Sequence, residues 1–406
     1  MQAASQNFLL QCLSDFIANK KTEESLSELD WKDLFAIASK QSLSSIIYYQ
    51  SNKIMPEDIK KEYLKQYLGS AVVSFKREEM TAEFIGALEQ RGIPVIFIKG
   101  SVFREYYPLH PLRSMGDIDV VIHPEDRQAV DDILQKELGY ECFVDNHSVW
   151  TYSKNKLYME VHDHMFYEEL TNKIDYRTYF DQVWTHLSHE AQFGTTSDIL
   201  YVPDKAFHFL YLITHTAKHI IDNGCGFRPY LDMVMMVQSV GDQMDWNWIA
   251  SELEQLQLLK FAQISFACCE RWFGAKMPLS PEAIDEDLFN TITEKTFKDG
   301  IFGLGNKDNE IASAAKDIGR SSADYNAAAV KRGVKRIFPP YQDMQLVPAY
   351  SFVDGRPWLL PAAWVYRLGY CAVRKMQKGK KYLLEPFTKK QEVLDRQELM
   401  KKWGLY

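Results

Sequence analysis

The stretch DIDVVI, residues 117–122, decides the predicted fold. Successive side chains of a β-strand point to opposite faces. The two aspartates, Asp117 and Asp119, therefore share one face, and Ile118, Val120 and Ile122 share the other. The aliphatic face can enter a core, whereas two adjacent carboxylates repel each other unless a cation lies between them. The stretch therefore predicts a core strand with one chemically active face.

A second strand is predicted just upstream. Residues 93–98 read IPVIFI, a continuous apolar run typical of a strand that is covered on both faces. The run ends at Lys99, and Gly100 and Ser101 then open a short predicted helix. Glycine allows close approach to the backbone, and a helix start offers free N–H groups to an anion. Gly100 and Ser101 are therefore predicted to cradle phosphate, with Lys99 and Arg113 as flanking cations.

Glu160 is the third acidic residue of interest. A hairpin is predicted downstream of a helix over 125–138, and its second strand is LYMEVH, residues 157–162. Glu160 lies on the face that alternates with the apolar side chains of this strand. If the strand pairs beside DIDVVI, three carboxylates converge, and such hard oxygen ligands suit magnesium. Asp117, Asp119 and Glu160 are thus the predicted catalytic residues and ligands of two Mg²⁺ or Mn²⁺ ions. Asp163 is an alternative ligand.

These motifs resemble the polymerase-beta-like nucleotidyltransferase superfamily. Its core reads as an apolar strand, a Gly–Gly or Gly–Ser turn, Asp-x-Asp and a later strand carboxylate. A narrower resemblance is to the bacterial family of uncharacterised nucleotidyltransferases. It rests on the segments IKG, RSMGDIDVVI, LGYE and YMEVHDH, which begin at Ile98, Arg113, Leu138 and Tyr158. Lys99 departs from the small or apolar residue that many relatives have before the glycine.

The resemblance implies a metal-dependent enzyme. It would move a nucleoside monophosphate from a nucleoside triphosphate, for example ATP, to an acceptor hydroxyl and release pyrophosphate. The family also shows a downstream His, Lys, Arg and Asp series, similar here to His215, Lys218, Arg228 and Asp232. Lys218 and Arg228 are therefore candidate nucleotide-binding residues. Arg228 and Asp232, spaced i and i+4, are equally compatible with a simple helix ion pair.

Several histidines near these motifs leave alternatives open. His215 and His219 are spaced i and i+4, which suits either a metal or packing between helices. His162 and His164 flank the predicted site. Each of them is either a base or supporting group for the carboxylates, or a packing residue.

Composition bounds the class of protein. The 46% hydrophobic and 25% charged fractions are ordinary for a soluble globular chain, and no apolar run approaches the 18 residues of a membrane span. A net charge of -8 argues against general nucleic-acid binding, which needs clustered basic residues. Six scattered cysteines without a CxxC pair indicate a reducing cytoplasm.

An α+β fold in four parts is predicted. Residues 1–91 form a helical region, residues 92–200 the nucleotidyltransferase core and residues 201–300 a helical domain that completes the cleft. Residues 301–406 contain a Gly/Ala-rich connection, a Pro/aromatic segment and a basic C-terminal helix. Residues 362–384 of this helix would either contact an anionic membrane surface, at the inner membrane face, or form a solvated basic tail.

Two rival functions remain at this stage. Some relatives of this fold move a phosphorylated alcohol from a nucleotide-linked donor to a glycan. A catalytically degenerate nucleotide-binding or interaction module is the other alternative. The acceptor, whether a small molecule, a glycan or a protein, has no diagnostic motif in the sequence.

Overall fold

The computed structural model describes residues 2–24, 29–145, 149–167, 170, 174–279, 284–303, 311–316, 348–374 and 390–406, and positions 327, 330, 334–335, 337–341 and 344. The chain divides into two units. One comprises Met1–Lys307 with Trp403–Leu405, and the other comprises Asp308–Lys402 with Tyr406. The described strands and the candidate site belong to the first unit.

A mixed β-sheet forms the centre of the first unit. Its seven strands are β1 Val95–Ile98, β2 Asp117–Val121, β3 Glu141–Asp145, β4 Val149–Lys154, β5 Leu157–His162, β6 Leu187–Ser188 and β7 Leu200–Pro203. They lie in the order β3-β4-β5-β2-β1-β7-β6. Strand β2 pairs in parallel with β5 and antiparallel to β1. The predicted hairpin is confirmed, because β4 pairs antiparallel to β5.

Helices precede, interrupt and follow these strands, so the predicted α+β class is confirmed. The helices before the sheet are α1 Gln2–Ile17, α2 Trp31–Lys40, α3 Ser44–Ser51 and α4 Glu57–Glu89. Those between strands are α5 Gly100–Phe103, α6 Arg127–Asp132 and α7 Tyr176–Phe180. Those after the sheet are α8 Lys205–Asp222, α9 Arg228–Val240, α10 Trp246–Gln255, α11 Leu259–Phe273 and α12 Glu286–Asp299. The second unit contributes α13 Leu360–Arg374 and α14 Lys390–Lys402.

Local sequence signals explain several of these boundaries. Asp30 caps α2 by accepting hydrogen bonds from the next turn, and Asp204 caps α8 in the same way. Strand β1 starts two residues later than predicted, because Pro94 has no N–H to donate to a ladder. The helix predicted over 125–138 is instead a 3-10 turn, α6 and a π-helical turn, Ile133–Glu137.

The core lies against the apolar face of the two central strands. Ile118 and Val120 of β2 are fully buried, as is Met159 of β5. They pack in one cluster with Phe84 and Leu88 of α4. Each such side chain contributes about 1.5–3 kcal/mol to folding. The apolar face predicted for β2 is thus the inner face of the sheet.

The second unit has its own small apolar contacts. Met344, Tyr350, Val353 and Ala363 form one buried cluster. Helix α13 confirms the start of the predicted basic helix, and residues 375–384 of that segment lie outside the described residues. Among the residues that the structure describes, no helix is long and apolar enough to cross a membrane.

Removal of one core side chain of β2 should destabilise the first unit strongly. We expect Ile118→Ala to lower the free energy of unfolding by about 2–5 kcal/mol, because it deletes buried methyl groups and leaves a cavity. Leu68→Ala is the control, since Leu68 of α4 is 52% exposed and its truncation should cost less than about 0.5 kcal/mol. Urea denaturation measures both, and equal effects would contradict this assignment of the core.

Candidate active site

The pairing of β2 with β5 brings the three predicted carboxylates together. Asp119 and Glu160 are register partners across the parallel pair, and Asp117 lies two residues before Asp119 on the same face. Asp119 is buried, with 3% of its surface exposed, while Asp117 and Glu160 are half-buried. The residues that sequence patterning placed on one face therefore line one end of a common site.

Two basic side chains contact the central carboxylate. The Lys99 ammonium donates to Asp119 Oδ1 at 2.6 Å, and His162 Nε2 lies 3.1 Å from the same oxygen. Burial alone would raise the pKa of Asp119, but Lys99 and then His162 outweigh burial and hold that pKa well below its usual range. Asp119 is therefore ionised and held in place from two sides.

Lys99 occupies an unusual backbone position. Its φ of 55° lies in the left-handed region, which is uncommon for residues other than glycine. Its backbone N–H donates to His208 Nε2 at 3.2 Å. Burial lowers the pKa of His208 to about 3, so this imidazole is neutral and can accept the bond. The strained turn after β1 is therefore anchored by α8, and it directs the ammonium toward Asp119.

The other two carboxylates, Asp117 and Glu160, lie where their negative charge is unfavourable. Burial, followed by the charges of Asp119 and Asp117, raises the pKa of Glu160 to about 7. Burial and then Asp119 also raise the pKa of Asp117. Like charges that converge in a partly desolvated site disfavour ionisation of one another. A divalent cation at this position would relieve that repulsion.

The donor atoms fit a metal ion. Asp119, Glu160 and His162 each offer one atom, and these atoms all lie within 4.8 Å of one another. Carboxylate oxygens suit hard divalent ions, and the imidazole nitrogen adds a ligand that Mn²⁺ also accepts. The sequence left His162 open between a supporting role and packing. Alternation along LYMEVH puts His162 on the face of Glu160, and this is the sequence signal that points to the supporting role.

A cleft of about 180 Å³ opens above the carboxylates. The turn after β1, strands β2 and β5, and helices α8 and α9 line it. Of the predicted nucleotide-binding residues, five reach it: Lys99, Gly100, Arg113, Lys218 and Arg228. The sixth, Ser101, is fully buried and does not line this cleft.

Arg113 is bound to a carboxylate of α9. Its guanidinium donates to both oxygens of Asp232, at 3.2 and 2.7 Å, and Tyr107 donates its hydroxyl to Asp232 at 2.9 Å. Arg228 donates to the carbonyl of Ser114 at 3.2 Å. Asp232, offered by the sequence as a helix partner of Arg228, thus holds the loop before β2. These contacts fix that loop against α9.

The remaining polar candidates lie around the carboxylates. His215 and His219 line the cleft with their Nε2 atoms 2.8 Å apart, and burial lowers the pKa of His219 to about 3. Neither joins the three-residue ligand group found in the described chain. Asp117, a predicted ligand, and Asp163, the alternative ligand, also lie outside that group, and Asp163 faces His164 at 3.8 Å. His164 in turn contacts Asp181.

Gly100 should tolerate no side chain. A Cβ at this position would collide with the Arg113 guanidinium, so we expect Gly100→Ala to disturb the Arg113–Asp232 pair. Overpacking of this kind lowers the free energy of unfolding by about 1–3 kcal/mol. Gly116→Ala is the matched control, because a Cβ there meets no atom within 4 Å. Thermal denaturation of both variants tests the prediction, and a harmless Gly100→Ala would refute it.

Removal of the Glu160 charge should stabilise the metal-free protein in a pH-dependent way. The pKa of Glu160 rises from 4.5 to about 7 on folding, so its ionisation opposes the folded state as pH rises through that window. We expect the free energy of unfolding of Glu160→Gln to exceed that of wild type at about pH 8. At about pH 5 this difference should be much smaller. Urea titrations in a chelator measure this gain. Glu141→Gln, on β3, is the control, and a gain that is independent of pH would contradict the prediction.

Comparison with known proteins gives a separate line of support. The model of a family described as uncharacterised nucleotidyltransferase matches residues 27–274, which is more than half of the 406 residues. That range includes the three carboxylates and every residue of the chain named above as reaching the cleft. No curated protein and no solved structure matches the chain. The chain belongs to the uncharacterised nucleotidyltransferase family.

Proposed function

We propose that this protein moves a nucleoside monophosphate from a nucleoside triphosphate to an acceptor hydroxyl. The acceptor oxygen attacks the α-phosphorus, the bond to the β-phosphate breaks, and pyrophosphate leaves. The observation that carries the proposal is the convergence of Asp117, Asp119 and Glu160 on a paired β2 and β5. Family membership supports the same class of reaction.

The carboxylates are the proposed ligands of two Mg²⁺ or Mn²⁺ ions. When bound, such ions activate the attacking oxygen and stabilise the charge on the leaving phosphates. Asp117 and Asp119 would hold both ions, and Glu160 would complete the site of the catalytic ion. His162, 3.1 Å from Asp119 and 3.7 Å from Glu160, would hold both carboxylates in orientation.

The cations around the cleft are the proposed triphosphate-binding groups. Gly100 lines the cleft on the turn after β1, and Lys218 and Arg228 line it from α8 and α9. In the absence of metal, Lys99 neutralises Asp119. With metal in place, its ammonium would turn to a phosphate oxygen. The chain's own contribution is thus to fix the reacting groups before the substrate arrives.

The Lys99 contact also favours a second candidate. An ammonium 2.6 Å from Asp119 can take the place of a cation permanently. The chain would then bind a nucleotide without transferring it, as a sensor or interaction module. Metal dependence of nucleotide binding distinguishes this candidate from the first, because a permanent lysine contact leaves nothing for magnesium to add.

Triphosphate binding should depend on both magnesium and the paired aspartates. We expect one of ATP, GTP, CTP and UTP to bind the wild type with magnesium. We expect Asp117→Asn and Asp119→Asn each to weaken that binding by more than about tenfold, or 1.4 kcal/mol. Calorimetry with and without magnesium measures the effect.

Asp198→Asn serves as the control for this titration, since Asp198 is exposed and lies outside the cleft. Binding that ignores magnesium would favour the sensor. No binding of any triphosphate by wild type would contradict the proposal. It would favour the transfer of a phosphorylated alcohol from a nucleotide-linked donor.

A further inference from the structure

The loop that precedes β2 also lines a second cavity, of about 370 Å³. Helices α2, α3 and α4 form its remaining walls. Its lining is dominated by seven serines and three arginines, Arg77, Arg104 and Arg113, and no Asp or Glu lines it in the described part of the chain. The cavity is therefore rich in hydroxyl and guanidinium groups.

The α4 wall of this cavity has a composition that helix packing does not explain. Gln66, Gly69, Ser70, Ser74 and Arg77 recur at helical spacing and line the cavity together with Val73, and Gln66 and Gly69 are exposed. Glycine within a helix costs about 0.5–1 kcal/mol relative to alanine, yet a Cβ at Gly69 would meet no atom within 4 Å. The packing of α4 does not require glycine at position 69. Because Gly69 has no side chain, the cavity stays open at this position.

Arg77 leaves part of its hydrogen-bonding capacity unused. It is 6% exposed and lines the cavity. One nitrogen donates to the carbonyl of Gly116 at 2.8 Å, while its Nε has no partner among the described residues. The Nε of Arg104 also has no hydrogen-bond partner, but the Arg104 guanidinium is paired with Glu78, and that of Arg113 with Asp232. An anion in the cavity that reached the Arg77 guanidinium would gain a charge-assisted hydrogen bond.

The lining indicates which ligand would fit. A guanidinium binds phosphate through paired hydrogen bonds, and serine hydroxyls both donate to and accept from the hydroxyls of a sugar or polyol. The volume lies within the range of small-molecule sites. We propose that this cavity binds a phosphorylated polyhydroxyl compound. We infer that this compound is the acceptor of the nucleoside monophosphate, an inference that rests on the function proposed above.

The position of the cavity agrees with an acceptor site. Arg113 lines both this cavity and the nucleotide cleft. Arg77 holds the carbonyl of Gly116, the residue directly before Asp117. A ligand bound to Arg77 would thus contact the side chain that holds the backbone next to Asp117, a proposed metal ligand. The two sites share a wall, while their linings remain distinct in chemistry.

Binding of glycerol 3-phosphate to the full chain, without triphosphate or metal, tests the proposal. We expect it to bind wild type and glycerol to bind at least tenfold more weakly. Arg77→Met should abolish binding. Because this buried variant risks misfolding, Gly69→Glu and Gly69→Lys are the decisive pair. They place opposite charges on side chains of similar length at the same lining position. Glutamate should weaken binding about fivefold or more, and lysine should not.

Gly86→Glu and Gly86→Lys are the matched controls. Gly86 lies on the same helix, a Cβ there also meets no atom within 4 Å, and it does not line the cavity. Both should bind like wild type. Equal weakening by Gly69→Glu and Gly69→Lys, or no binding of glycerol 3-phosphate to wild type, would overturn the proposal.

Asp119→Asn separates this inference from the proposed function. Loss of glycerol 3-phosphate binding in Asp119→Asn, with Gly69→Glu unaffected, would place the anion in the nucleotide cleft and overturn the inference. Triphosphate binding by Gly69→Glu at the wild-type level would support two distinct sites. If wild type binds glycerol 3-phosphate here but no triphosphate, the proposed function fails and the acceptor role fails with it, while the anion site stands.

Discussion

The register between β2 and β5 is the constraint on which the rest of the site depends. It sets Asp119 opposite Glu160, and the same alternation sends Ile118 and Met159 into the core. A slip by one residue would bury the carboxylates and expose the aliphatic side chains. The hydrophobic effect therefore fixes the position of the charged groups. Fold stability and site geometry are two results of one pairing.

Charge in the site is arranged ahead of any ligand. Lys99 and His162 stabilise the ionised form of Asp119, whereas Glu160 and Asp117 keep unfavourable negative charge. The Lys99 backbone conformation is itself held by His208 of α8. The surrounding fold thus holds in place both the strained Lys99 turn and the mutually repelling carboxylates of β2 and β5. Such a site favours a cation or a phosphate because either one removes an existing imbalance.

Local patterns predicted what depends on local physics. Strand alternation gave the faces of β2 and β5, and capping aspartates such as Asp30 gave helix starts. The Arg113–Asp232 contact joins residues 119 positions apart, and no periodicity reports it. The Lys99–Asp119 pair likewise needs the antiparallel register of β1. The serine-lined cavity was not predicted from sequence, because it exists only where three helices and a loop fail to close on one another.

The Asp232 carboxylate has a consequence for how the chain can be divided. It receives Arg113 and Tyr107 from the segment between β1 and β2, yet it belongs to α9, well beyond the last strand. A fragment ending at β7 would leave a buried guanidinium with no counter-charge beside the sheet. The loop before β2 therefore depends on α9 for its charge balance. A division of the chain between the sheet and α9 would break this contact.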